Sequence, residues 1–136
     1  MNISLYNRQR KVRLALPRLQ RVAKAAFSAV LPPLAEVEVT FISDTVIARV
    51  HRDFMGIPGA TDVITFGHGE ILISAETARE NALKYGRPLE EELARYIVHG
   101  LLHLKGYEDK TPAKRKQMHR VQEKMVTLIT QSQTPG

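Results

Sequence analysis

An α+β fold is what this sequence predicts: a small mixed sheet of about four strands packed with about five helices, in a single domain over residues 1–136. Three observations carry that expectation. The chain has 136 residues, a length that suits one domain with a real core. Hydrophobic residues make up 43% and charged residues 25%, so the chain is neither disordered nor fibrous. Stretches with helical apolar spacing alternate with shorter stretches of period two, with no repeat, low-complexity tract or linker between them.

In chain order, Ile3 to Tyr6 alternates and reads as a short strand. Leu16, Leu19, Ala23, Ala26, Phe27 and Val30 recur at helical spacing; Pro17 sits in the first turn, and Pro32-Pro33 stops the helix. Glu36 to Ile42 alternates polar and apolar, the pattern of a half-buried strand. Ser43 or Asp44 caps a helix running to about Phe54. Gly56 to Ala60 is a loop. Asp62 to Phe66 and Glu70 to Ile73 are strands joined by Gly67-His68-Gly69 in a hairpin-like connection. Ala75 to Tyr85 is a helix stopped by Gly86, and Pro88 opens another that continues to about Leu104. Thr111-Pro112 is a cap followed by a first-turn proline, opening a last helix to about Thr130. Met118, Val121, Met125 and Leu128 form its expected core stripe, and the tail from Gln131 to Gly136 is expected to fray.

Composition excludes several classes. Without cysteine there is no disulfide scaffold, thiolate metal site or cysteine nucleophile, which is compatible with the cytoplasm. No apolar run approaches the roughly 20 residues of a membrane helix, and the basic N-terminal stretch lacks the apolar core of a signal peptide. Aromatic residues are only 6%, too few for a broad base-stacking platform. The net charge is +6, and the pI is near 9.8. Arg8, Arg10, Lys11, Arg13, Arg18, Arg21 and Lys24 all precede the first acid, Glu36; Lys110, Lys114, Arg115, Lys116, Arg120 and Lys124 form a second group. Such fields attract polyanions, nucleic acid first, although solvated helix faces read the same way.

The sharpest feature is His99 and His103, four apart on a predicted helix. Four residues turn about 400°, so both imidazoles project from one face with Cβ atoms roughly 6 Å apart, close enough to converge on one ion. Ile97, Val98, Leu101, Leu102 and Leu104 make this half of the helix apolar nearly all round, which predicts that it is buried. Buried imidazoles need partners, and a metal supplies one directly, as would hydrogen bonds to backbone or tyrosine. Gly106 ends the helix, the chain turns back, and Asp109 brings a carboxylate that closes a third coordination position or merely starts the next helix. Two imidazoles and a carboxylate suit Zn²⁺, with Ni²⁺ or Fe²⁺ possible, and three protein ligands leave a position open, as catalytic sites do. Zinc peptidases place their glutamate base directly after the first histidine; here that place is Gly100.

These residues resemble the YbeY family of metal-dependent endoribonucleases. The family signature H-G-x-L-H-L-x-G-Y-D-H stands here as His99-Gly100-Leu101-Leu102-His103-Leu104-Lys105-Gly106-Tyr107-Glu108-Asp109. T-D-V-L-S-F stands as Thr61 to Phe66, and G-D-I-x-I-S as Gly69 to Ser74. The resemblance implies a single-strand-specific endoribonuclease acting in maturation of the 16S ribosomal RNA 3′ end and in ribosome quality control, in the cytoplasm. It further implies RNA and the small ribosomal subunit as partners, with no membrane and no small-molecule cofactor. One divalent metal, zinc first and nickel next, would sit on His99, His103 and Asp109 and either acidify water or polarise a phosphoryl oxygen.

Two positions depart from the family. Its third metal-binding histidine falls on Asp109, and a carboxylate still binds zinc. Its Y-R pair falls on Phe54-Met55, which loses an arginine that touches RNA or phosphate charge. Arg52, one helical turn earlier, is the catalytic candidate for that space; the other reading is an ordinary exposed charge. Glu108 reads as a solvated turn residue. Asp62 either orients a ligand histidine or anchors the strand start on backbone N–H groups. His51, His68 and His119 have no ligand spacing. Two other functions compete: a ribosome- or RNA-binding maturation factor with a structural metal, favoured by Met55, and a metal hydrolase of other substrates, disfavoured by the net charge.

Overall fold

The computed structural model describes residues 2–133. In chain order it runs β1 (Asn2–Asn7), α1 (Leu16–Val30), β2 (Glu36–Ile42), α2 (Asp44–Met55), β3 (Val63–Phe66), β4 (Glu70–Ser74), α3 (Ala75–Tyr85), α4 (Leu89–Lys105) and α5 (Pro112–Gln133). The strands form one sheet in the order β1-β2-β4-β3. β1 and β4 both run parallel to β2, and β3 pairs antiparallel with β4 through the expected hairpin, so the sheet is mixed.

The period-two pattern decides what each sheet face covers. Val37, Val39, Phe41, Ile71 and Ile73 point into the main core with α1 and α4. Ile42, Ile64 and Leu72 point the other way, into a smaller cluster with Ile47 of α2. Local chemistry sets the helix ends. Ser43 and Ser74 accept hydrogen bonds from the backbone N–H groups of Val46 and Thr77, and Thr111 Oγ1 accepts from Lys114 N–H at 3.2 Å. Asp44, in the first turn of α2, accepts the hydroxyls of Ser74 and Thr77, which ties α2 to α3.

α4 is the central helix. Leu93, Ile97, Val98 and Leu101 are fully buried. A Cβ built on Gly100 would lie 2.7 Å from Ile71 Cδ1, so α4 rests closely on β4 and a larger residue there would push the Ile71 side chain aside.

Four expectations of the elements need correction. β1 is longer than Ile3 to Tyr6, because pairing with β2 extends from Asn2 to Asn7. Asp62 precedes β3 rather than opening it. Leu128 is 55% exposed and lies outside the α5 core stripe, whose buried positions are Met118, Gln122, Val126 and Ile129. The reason is phase: ten residues past Met118 a helix has turned to about 80° off that side chain, whereas eleven bring it back within about 20°. α5 continues to Gln133, past the expected end near Thr130. The rest of the tail, 134–136, lies outside the described residues. Among the described residues no helix is long and apolar enough to cross a membrane.

Candidate metal centre

His99 and His103 lie one turn apart on α4, and His99, with Asp109, lines a cleft of about 350 Å³ between that helix, the start of β3 and the N-terminal half of α5. Their ring centroids are 4.6 Å apart with planes at 84°, and their Nε2 atoms approach to 3.1 Å. Gly106 caps α4 at φ 115°, a conformation other residues adopt only at a cost. The turn it makes has two effects. It carries the Tyr107 carbonyl back over His103, whose Nδ1 donates to it at 3.1 Å. It also delivers Asp109, whose Oδ2 lies 3.4 Å from His103 Nε2 and 4.0 Å from His99 Nε2. Arg115 holds the turn from α5 by donating to the Asp109 carbonyl at 3.2 Å.

These three side chains offer donor atoms that all lie within 4.8 Å of one another, so the group can bind a metal ion. The donor chemistry fits one. Tyr107 O only accepts, so His103 Nδ1 carries the proton and Nε2 holds a lone pair. His99 Nδ1 faces Gln122 Oε1 at 2.7 Å, which leaves its Nε2 in the same state. Two lone pairs and a carboxylate then face each other across about 3–4 Å, an arrangement a cation relieves. Tetrahedral zinc with bonds near 2.0–2.1 Å asks for donor separations of about 3.3 Å.

The imidazoles are 28% and 27% exposed, not buried as the apolar run around them suggested. The helix is covered on its other sides, and the cleft opens on this one. Burial still pushes the His99 imidazole below its ordinary value, and neighbouring His103 adds to that; the hydrogen bond to Gln122 and the carboxylates of Asp62 and Asp109 work against it. The neutral ring is the metal-binding form.

The remaining candidates separate. Arg52 is exposed on the last turn of α2, paired at 3.0 Å with its neighbour Asp53, and is not among the residues lining the cleft. Met55 is 53% exposed on the same turn. Asp62 takes the strand-anchoring role: its Oδ1 accepts from Val63 N–H at 2.8 Å and bonds no histidine, although it lines the cleft. Glu108 is exposed and pairs with Lys114 at 2.7 Å, which holds its carboxyl below the usual range. His51 bonds the Gly59 carbonyl and His68 stacks on Phe66, both away from the group. His119 is exposed but lines the cleft.

Sequence reasoning missed the back wall. Gln122, Glu123 and Arg95 stand behind His99, and Asn81 Nδ2 donates to the Tyr96 hydroxyl at 2.7 Å. Burial, with the nearby Glu92 and Asp62 charges, pushes the Tyr96 hydroxyl well above its usual value against the Asn81 hydrogen bond, so it stays a donor, to Glu92 at 3.2 Å. A glutamine on an otherwise apolar stripe of α5 was the one available signal.

Comparison with known proteins finds relatives along most of the chain. A sequence model of the family described as Endoribonuclease YbeY matches residues 4–130. The Endoribonuclease YbeY of Phocaeicola vulgatus is 36% identical over 104 residues, covering 71% of this chain and 75% of that protein. The Endoribonuclease YbeY of Desulfitobacterium hafniense is 34% identical over 128 residues, covering 81% and 82%. The solution structure of TM1509 from Thermotoga maritima superposes with a TM-score of 0.68 at 25% identity, covering 94% of this chain and 89% of that one.

Proposed function

Since this chain belongs to the endoribonuclease YbeY family, we propose that it is a metal-dependent endoribonuclease cutting single-stranded ribosomal RNA, with His99, His103 and Asp109 holding one divalent ion. RNA is the substrate that an endoribonuclease implies. Zinc suits two imidazoles and a carboxylate best, with nickel the alternative. The proposed setting is 16S 3′-end maturation and ribosome quality control on the small ribosomal subunit in the cytoplasm, where a cysteine-free chain is at no disadvantage. Residues 1–136 act together as one catalytic domain.

The observation that carries this reading is the convergence of three donors, two of which line a cleft that also presents Arg115. When bound, the ion supplies Lewis-acid chemistry at the phosphodiester. The chain's own residues do the rest. His99 and His103 stay neutral and aim their Nε2 atoms inward. Asp109 lowers the charge of the site, and the Arg115 guanidinium, at the cleft wall, pairs with phosphate. The exposed basic residues of α5 and of the segment before α1 draw the RNA backbone in. Arg52 contacts that backbone outside the cleft; its exposed pair with Asp53 is worth at most about 1 kcal/mol and opens readily.

The test is a cleavage assay on end-labelled single-stranded RNA and on its duplex. The zinc-loaded protein is expected to cut the single strand and spare the duplex, and chelation is expected to stop it. Unchanged cleavage after chelation, or none by the loaded protein, overturns the reading. Arg115→Ala is expected to weaken RNA binding and to reduce the slope of log affinity against log salt by about 1, as loss of one phosphate contact does. A slope identical to that of the parent removes Arg115 from the phosphate path.

A further inference from the structure

A line of polar side chains runs from the buried end of α4 to the ring of His99. Arg95, 9% exposed, is held by Glu92 on its own helix and grips Glu123 of α5 with two hydrogen bonds, Nε to Oε2 and Nη2 to Oε1, each 2.8 Å. Glu123 Oε2 accepts from Gln122 Nε2 at 3.1 Å. Gln122, 7% exposed, turns its Oε1 to His99 Nδ1 at 2.7 Å.

Each link dictates the next. A guanidinium only donates, so the Glu123 carboxyl beside it is ionised and only accepts. The Gln122 group facing that carboxylate is therefore the NH₂ end, and the group facing His99 is the carbonyl. Flipping the amide would set a carbonyl against a carboxylate and lose the bond to an Nδ1 that carries a proton.

We propose that Arg95, Glu123 and Gln122 form a positioning relay that fixes His99 with its proton on Nδ1, so that Nε2 presents its lone pair to the ion. Gln122 is the positioning residue, and Arg95 with Glu123 sets the direction of its amide. His103 needs no such device, since the Tyr107 carbonyl does the same work from the helix's own cap. The relay rests on the reading of His99 as a metal ligand. Its general basis is that outer hydrogen-bond partners set the tautomer and basicity of ligating histidines, and their removal costs about 10–100-fold in metal affinity.

The test separates the relay from the function. Long-range ¹⁵N–¹H spectra of histidine-labelled, metal-free protein read the tautomer directly, and chelator competition reads the zinc affinity. The parent is expected to show His99 protonated on Nδ1. Gln122→Met, similar in length and able to fill the same space, is expected to shift His99 toward the Nε2–H form and to weaken zinc binding about 10–100-fold. Gln122→Glu keeps an acceptor on His99 Nδ1 in a side chain of the same size and is expected to retain the Nδ1–H form. A Gln122→Met protein that keeps both the tautomer and the affinity overturns the relay. A Gln122→Glu protein whose His99 tautomer shifts as far as that of Gln122→Met also overturns it, because the acceptor on Nδ1 would then not be what fixes the proton. A parent with the expected tautomer but no zinc binding leaves the relay standing and overturns the metal-dependent function.

Discussion

His103→Ala is expected to abolish metal binding and, with it, RNA cleavage, in a protein that still folds. His103 is the ligand at which the geometry closes: its Nε2 lies 3.1 Å from His99 and 3.4 Å from Asp109, whereas those two are 4.0 Å apart. Removing it leaves two donors, so the loss should exceed the roughly 10–100-fold typical of outer-shell partners. The fold has little at stake. The ring is 27% exposed, and alanine is the best helix former at that position. Its one structural bond, to the Tyr107 carbonyl, lies in a solvent-reachable turn and is worth about 1 kcal/mol. Cleavage by the variant at the parent's rate would assign the activity to another site.

The second large effect is on stability. Arg95→Met is expected to destabilise the protein by about 3 kcal/mol and lower its Tm by roughly 10 °C, because it strands a buried carboxylate. Glu92 is 3% exposed and loses its closest partner, keeping only Arg87 at 3.3 Å and the Tyr96 hydroxyl at 3.2 Å. Glu123 loses the guanidinium that holds its carboxyl below the usual range. Adding Glu92→Gln should recover part of the loss, since the uncompensated charge goes with it. Thermal unfolding of the two variants measures this; an Arg95→Met protein as stable as the parent would show that the buried ion pair contributes nothing.

The elements were legible because periodicity and punctuation agree along this chain. Prolines, serines and a threonine open helices, glycines close α2, α3 and α4, and strands alternate where one face is buried. His99, His103 and Asp109 were legible for a local reason: the helical repeat sets the pair, and Gly106 sets the return. What lay beyond reach depends on contacts distant in sequence. Gln122 is 23 residues from His99 and Glu123 is 28 from Arg95, and nothing in a helix's own pattern says which neighbour its polar residues will meet. The exposure of the imidazoles escaped for a related reason. The composition of α4 reports that the helix is apolar, not which side its neighbours leave uncovered. Asp62 had two readings, and only the 2.8 Å bond to Val63 N–H separates them.

Two imidazoles and one carboxylate binding a single cation is what the proposed chemistry requires. Elemental analysis of protein purified without a metal-affinity tag, joined to X-ray absorption at the edge of the metal found, tests it most directly. The account predicts about one divalent ion per chain, with two nitrogen ligands and at least one oxygen near 2.0–2.2 Å. Protein that carries no stoichiometric ion and takes up none when offered zinc would contradict it.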